Sequence, residues 1–185
     1  DRCRGRIFIN GADPETIEAV NRRWRLFDRA FVSPENLGQT PALNRLWSDT
    51  GPSPMLHVED DMVASRGGWL GASLRFMEEN PDVGQLRLYP FREIYHVSKV
   101  NLITRRPIEF DPPCRIGDES FSLHTEPAHF AFIPSLINPA ALEDILPIEA
   151  GAVRDQAENF AQRRFHARGW RTAQIDNAPF RHIGR

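Results

Sequence analysis

The stretch Met55-Leu56-His57-Val58-Glu59-Asp60-Asp61 sets the expected fold of the chain. A short apolar run leads directly into three carboxylates, which is typical of a buried strand with acidic residues at its C-terminal end. Open α/β sheets bind ligands beyond the carboxyl ends of their strands. Three adjacent like charges repel one another, and a divalent cation that holds a phosphate would offset them. The residues alone leave one alternative open, a solvated acidic turn.

Strands and helices alternate on the N-terminal side of this stretch. The pattern predicts, in order, a strand at 6–9, a helix from Asp13-Pro14 whose apolar face extends to Trp24, a strand at 30–32, a helix ending near Trp47, and the acidic strand. This order predicts an α/β fold, with a largely parallel central sheet flanked by helices.

The C-terminal side continues the alternation less regularly. The pattern predicts a helix from Trp69, strands at 83–88 and 97–103, a long loop at 111–119, a strand at 129–133, helices from Asn138 and over 153–167, and a strand at 170–175. We expect a single domain over 1–185, with two halves at 1–88 and 89–185.

Composition narrows the class of protein. The 185 residues suit one globular domain, and the net charge of −2 gives no electrostatic argument for a nucleic-acid or membrane partner. No apolar run approaches the length of a membrane span. Two cysteines without metal spacing indicate a reduced, cytoplasmic protein, with a single disulfide as the alternative. The first residues contain neither an initiator Met nor a signal peptide, which suggests a processed or trimmed chain.

Four motifs, taken in order, resemble the GT-A glycosyltransferases, most closely the family 2-like group. They are Asn36-Leu37-Gly38 with Ala42-Leu43-Asn44, the acidic triplet Glu59-Asp60-Asp61, Ala157-Glu158 with Arg163-Arg164 and Gly169, and His182-Ile183-Gly184. They resemble the family's N-x-G…A-x-N loop, its D-x-D metal motif (here in an E-D-D form), its E-D…R…G helix and its C-terminal histidine. The resemblance covers nearly the whole chain, and it implies a nucleotide- and metal-binding half at 1–88 and an acceptor-binding and catalytic-base half at 89–185.

The resemblance implies a metal-dependent, inverting transfer from a nucleotide-sugar donor. Mn²⁺ or Mg²⁺ would be held by Asp61, Glu59 and His182, and a UDP-sugar is the expected donor. The donor-binding residues implied are Asn36, Gly38, Asn44, Glu59, Asp60 and Arg164. The residues themselves leave structural roles open as alternatives: Asp60 could cap a turn, His182 could be a surface histidine and Arg164 could pair with Glu158.

An inverting transfer needs a base that takes the acceptor's proton. The resemblance points to Glu158, with Asp155 as the alternate one helical turn earlier. The alternative is that both carboxylates lie on a solvated helix face. The sequence His124-x-Glu126-x-x-His129 does not predict a zinc site, because Pro127 breaks any helix that would align the two histidines.

Two departures from the family pattern affect the functional prediction. The strand at 6–9 resembles the family's second strand, so the resemblance implies that the first strand-helix unit is absent, either because the chain is a fragment or because the donor pocket is built differently. The helix motif also has Ala157-Glu158 where Glu-Asp is usual. The rival hypotheses are a Mg²⁺-dependent nucleotidyltransferase and a non-catalytic nucleotide- or carbohydrate-binding module. The acceptor is not identified, and a modified nucleic-acid base stays among the candidates.

Overall fold

The computed structural model describes residues 5–48, 50–90, 104, 106–127, 130–149 and 154–183. Contacts divide the chain into two compact units. The smaller unit contains Asp1–Asp49 and Pro147–Ala157, and the larger unit contains Thr50–Leu146 and Glu158–Arg185. The assignment of 1–185 to one domain with a boundary at residue 88 stays a prediction. Among the described residues, no helix is both long and apolar enough to cross a bilayer.

The smaller unit has the predicted alternation of strands and helices. Its elements are β1 (Arg6–Asn10), α1 (Pro14–Asn21), β2 (Arg29–Ser33) and α2 (Gln39–Trp47), and β1 and β2 pair in parallel. Asp13 caps α1, because its Oδ1 accepts the Thr16 N–H at 2.9 Å. The helix ends before Trp24, which lies in a 3₁₀ turn with 52% of its surface exposed. The expected extension of the apolar helix face to Trp24 is therefore wrong.

A mixed six-stranded sheet forms the centre of the larger unit. Its spatial order is β3-β8-β5-β9-β7-β6, with β3 (Met55–His57), β5 (Val83–Arg87), β6 (Cys114–Ile116), β7 (Glu119–Leu123), β8 (Ser135–Ile137) and β9 (Arg171–Ile175). A separate antiparallel pair joins β4 (Met62–Ala64) to β10 (Phe180–His182). The helices of this part are α3 (Trp69–Glu79), α4 (Pro139–Ile145) and α5 (Arg154–Ala167), the last of which contains the boundary between the two units.

The α/β class is confirmed, but a mostly parallel sheet is not. Within the six-stranded sheet, only β5 and β9 are parallel neighbours. Strand β8 lies antiparallel between β3 and β5, and β7 lies antiparallel between β9 and β6. In this sheet β3, β5, β6 and β9 therefore run in one direction, and β7 and β8 run in the opposite direction. A hydrophobic pattern does not encode which strand inserts between two others.

Two local predictions fail in the larger unit. The expected loop at 111–119 contains β6 and a tight turn at Gly117, whose positive φ of 60° allows an immediate return into β7. The apolar run Phe130–Ile133 is not a strand, and β8 begins two residues later. The strand expected at 97–103, like His129, lies outside the described residues.

The core of the larger unit fills the space between the sheet and α3. Phe76 of α3 stacks on Phe121 of β7 with ring centroids 4.5 Å apart. Leu86, Leu136 and Ala173 contribute from the three central strands and are almost completely buried. This packing makes the central strands a rigid base for the loops that follow them.

Candidate functional site

The acidic triplet lies at a carboxyl-end edge of the six-stranded sheet, as predicted. The ends of β3 and β5 meet at the start of β8, because His57 and Arg87 both pair with Ser135. Glu59-Asp60-Asp61 follows β3 and turns the chain into β4, with the Met62 N–H donating to the Glu59 carbonyl at 3.3 Å. The fold therefore places these carboxylates where α/β sheets commonly bind ligands.

Asp61 and His182, which are far apart in sequence, lie side by side. Asp61 directly precedes β4 and His182 is the last residue of β10, and the Ile183 N–H donates to the Asp61 carbonyl at 2.8 Å. The Nε2 atom of His182 lies 2.9 Å from Oδ2 of Asp61. The Asp61 side chain is about half exposed at 47%, so the pair is accessible from solvent. Two of the three predicted metal ligands are thus brought together.

The pair has the chemistry and spacing of two neighbouring cation ligands. The 2.9 Å separation is that of a hydrogen-bonded histidine–carboxylate pair. Adjacent ligand atoms of octahedral Mg²⁺ or Mn²⁺, each about 2.1 Å from the ion, also lie about 3 Å apart. Within the described residues, the buried Oδ1 of Asp61 and Nδ1 of His182 have no hydrogen-bond partner. Mg²⁺ commonly takes only one or two protein carboxylates and fills its other positions with water and phosphate. The two residues therefore fit a cation that also binds a phosphate.

The other residues of the acidic stretch are not assembled into this pair. In the described ranges, no group of three or more His, Cys, Asp or Glu side chains could hold a metal ion, so Glu59 does not complete a three-residue site. Asp60 is exposed and Glu59 is half-buried. His57 is buried at the end of β3, and desolvation lowers its pKa to about 4. An imidazole kept neutral in this way adds no positive charge beside the carboxylates.

Arg66 fixes the chain after β4 and was not predicted from the sequence. Its guanidinium binds both carboxylate oxygens of Glu119 at 2.5 and 2.7 Å and also donates to the Asn177 carbonyl. The Ser65 N–H donates to the Pro179 carbonyl at 2.7 Å. The bidentate pair is directional and anchors Arg66 to β7, while the bonds to the Asn177 and Pro179 carbonyls link the residues after β4 to those before β10, next to the pairing that brings Asp61 to His182.

Glu158, the predicted base, projects from α5 to an irregular buried segment, Phe130–Pro134, here called the 130–134 segment. Its Oε1 accepts the backbone N–H of Phe132 at 3.1 Å. The last residue of the segment is bound to Leu88, just beyond β5: the Leu88 N–H donates to the Pro134 carbonyl at 2.9 Å. The Leu88 carbonyl accepts the Phe180 N–H at 3.1 Å. The segment that binds Glu158 and the strand that carries His182 are therefore both attached to the end of β5.

The remaining predicted donor residues make local contacts. Asn36 Oδ1 accepts the Gly38 N–H at 2.9 Å and shapes the turn before α2, while the Asn44 amide makes two 2.8 Å bonds to the backbone of Ile148. Arg164 stacks over Phe160 and donates to the Ile145 carbonyl at 3.5 Å. Asp155 lies on α5, one turn before Glu158. A donor-binding role for these residues stays a prediction.

An open groove of about 550 Å³ lies in the smaller unit. Its walls include Phe8, Phe31 and Leu37, with the Arg45 guanidinium 4.9 Å above the Phe31 ring. None of its lining residues is acidic, so it offers no carboxylate ligand for a divalent cation.

The chain matches no protein-family model and no curated protein.

Proposed function

We propose that the protein is a metal-dependent, inverting glycosyltransferase that uses a nucleotide-sugar donor, with a UDP-sugar as the expected class. The observation that carries the proposal is the contact between Asp61 and His182 at 2.9 Å. The motif resemblance assigns these two residues to one cation site. Their adjacency, with Asp61 in the turn before β4 and His182 at the end of β10, supports that assignment, because no local sequence pattern brings the two residues together.

Asp61 and His182 would hold the cation through a carboxylate oxygen and an imidazole nitrogen. A bound divalent ion supplies charge neutralisation for the departing nucleoside diphosphate. His182 must be neutral to serve as a ligand, since a protonated imidazole has no lone pair to offer. The pairing of β4 with β10 and the Ile183 N–H bond to the Asp61 carbonyl hold the two residues together, so the ligand atoms are close before any ligand arrives.

Glu158 would act as the base on the acceptor. An acceptor hydroxyl oxygen forms the new bond to the anomeric carbon, and the bond from that carbon to the phosphate oxygen breaks with its electron pair leaving on the diphosphate. The hydroxyl proton passes to the Glu158 carboxylate. The Phe132 N–H fixes the direction of that carboxylate through its contact with Oε1. A fixed base needs less reorganisation when the proton is transferred.

Donor turnover tests the proposal without knowledge of the acceptor, because water can replace it. UDP release is measured from several UDP-sugars with Mn²⁺, for the wild type and for Glu158→Gln. We expect slow, Mn²⁺-dependent release that Glu158→Gln reduces at least 100-fold while UDP binding is retained. Glu143→Gln, which removes an exposed carboxylate on α4, is the matched control and should keep full activity.

Three results would contradict parts of the proposal. Full activity in Glu158→Gln would remove Glu158 as the base. Donor binding without release in the wild type would favour a non-catalytic nucleotide- or carbohydrate-binding module. Transfer of a nucleotidyl group, seen as pyrophosphate release from a nucleoside triphosphate, would favour a nucleotidyltransferase.

A further inference from the structure

We propose that Gln85, a completely buried amide in the central strand β5, is a positioning residue that sets the direction of Glu158 through the 130–134 segment. The inference rests on the proposed function in one respect, the role of Glu158 as a base. Gln85 does not touch Glu158. It binds the backbone immediately before Phe132, whose N–H binds Glu158.

The Gln85 amide is held by three hydrogen bonds. Its Nε2 donates to the Ala131 carbonyl at 2.7 Å and to the Ser135 Oγ at 3.0 Å. Its Oε1 accepts the Ala131 N–H at 3.1 Å. Both N–H donors and the carbonyl are thereby used, so the amide has one orientation. Gln85 binds Ala131 as a neighbouring strand would, although residue 131 is not in a strand.

The next three residues are fixed in turn. Phe132 donates to Glu158, the Ile133 carbonyl accepts from the Ser135 hydroxyl at 2.9 Å, and the Pro134 carbonyl accepts from the Leu88 N–H. Each residue from 131 to 134 therefore has a backbone polar group bound to a rigid part of the larger unit. A segment held at every residue transmits a displacement of Ala131 directly to the Phe132 N–H.

Burying the Gln85 amide in β5 costs free energy unless its hydrogen bonds compensate the loss of hydration. A central strand with both neighbours paired normally carries apolar side chains, and a buried amide loses its hydration. The structure compensates that loss by satisfying backbone groups of an irregular segment, which have no ladder partner. A purely structural role would end with that compensation. A positioning role predicts in addition that loss of Gln85 changes the interaction between Phe132 and Glu158.

The experiment follows the Phe132 amide proton by NMR as the pH is varied. An N–H that donates to a carboxylate shifts when the carboxyl group titrates, and Glu158→Gln abolishes that shift if Glu158 is its source. Gln85→Leu, of similar volume and without donors, should reduce the shift at least twofold and raise the exchange rate of this amide at least tenfold. Ser73→Ala, which removes a buried hydroxyl on α3, is the matched control and should alter neither.

Ser135→Ala provides the second variant if Gln85→Leu does not fold. It removes the hydroxyl that holds Ile133 and accepts from Gln85, and it should weaken the same signal in the same direction. In donor turnover, both variants should lower kcat about tenfold and leave KM for the nucleotide-sugar unchanged.

An unchanged Phe132 shift and exchange rate in a folded Gln85 or Ser135 variant would overturn the positioning role. A rise in KM with constant kcat would do the same. Absence of turnover in the wild type overturns the proposed function instead. The NMR readouts need no substrate, so they still decide whether Gln85 directs Glu158.

Discussion

Lowering the pH from 7 to 5 is expected to destabilise the larger unit through His57. Burial lowers the pKa of this imidazole to about 4 in the folded chain, against about 6.5 when it is exposed. Between those values the unfolded state binds the extra proton, so stability decreases as the pH falls from about 6.5 towards 4. Linkage over this window gives a loss of about 2 kcal/mol between pH 7 and pH 5.

Urea unfolding at pH 7, 6 and 5, in EDTA to exclude metal effects, measures this contribution. The wild-type midpoint should fall by about 1 M between pH 7 and pH 5. In His57→Gln, which cannot titrate there, most of that difference should disappear whatever its absolute stability. His166→Gln, a half-buried histidine on α5, is the control and should keep the wild-type pH dependence. Equal pH dependence in the wild type and His57→Gln would refute the reasoning.

Two further predictions concern stability. A Cβ at position 84 would lie 2.4 and 2.7 Å from ring atoms of Phe165, so Gly84→Ala should lower the free energy of unfolding, measured in urea, by about 1–3 kcal/mol. Gly71 in α3 has open space around it, so the control Gly71→Ala should leave that free energy unchanged or raise it. Hydrogen bonds from Thr16 lower the pKa of Asp13, so its stabilisation is present at neutral pH and lost as the carboxylate protonates at low pH. Asp13→Ala should therefore lower the urea midpoint at pH 7 and have little effect at pH 2, with Asp13→Asn, another good cap, retaining more stability than Ala.

Local signals predicted the smaller unit well. Asp13 and Pro14 specify a helix start through the side-chain cap and the fixed proline φ, and both effects operate within one turn. The adjacency of Asp61 and His182 was accessible only through the motif resemblance. No local pattern indicates that three residues near the end of the chain form a strand against β4.

Tertiary partners explain what the sequence did not predict in the larger unit. The apolar run at 130–133 resembles a strand, yet its backbone binds the side chains of Gln85 and Glu158 in place of a neighbouring strand. The antiparallel direction of β8 also depends on tertiary partners, because it follows from pairing with β3 and β5, which are distant in sequence. The sequence did contain one sign that β5 has polar partners, because Gln85 and Arg87 interrupt an otherwise apolar strand. The structure buries both residues completely.

Calorimetric titration of UDP, GDP and CDP, with and without Mn²⁺, tests the central claim most directly. We predict that one nucleotide binds only with Mn²⁺, and that Asp61→Asn and His182→Gln each weaken this binding at least tenfold. Glu78→Gln, which removes an exposed carboxylate on α3, should leave it unchanged. Nucleotide binding that is indifferent to Mn²⁺, or undiminished in the Asp61 and His182 variants, would contradict a metal-dependent donor site at this pair.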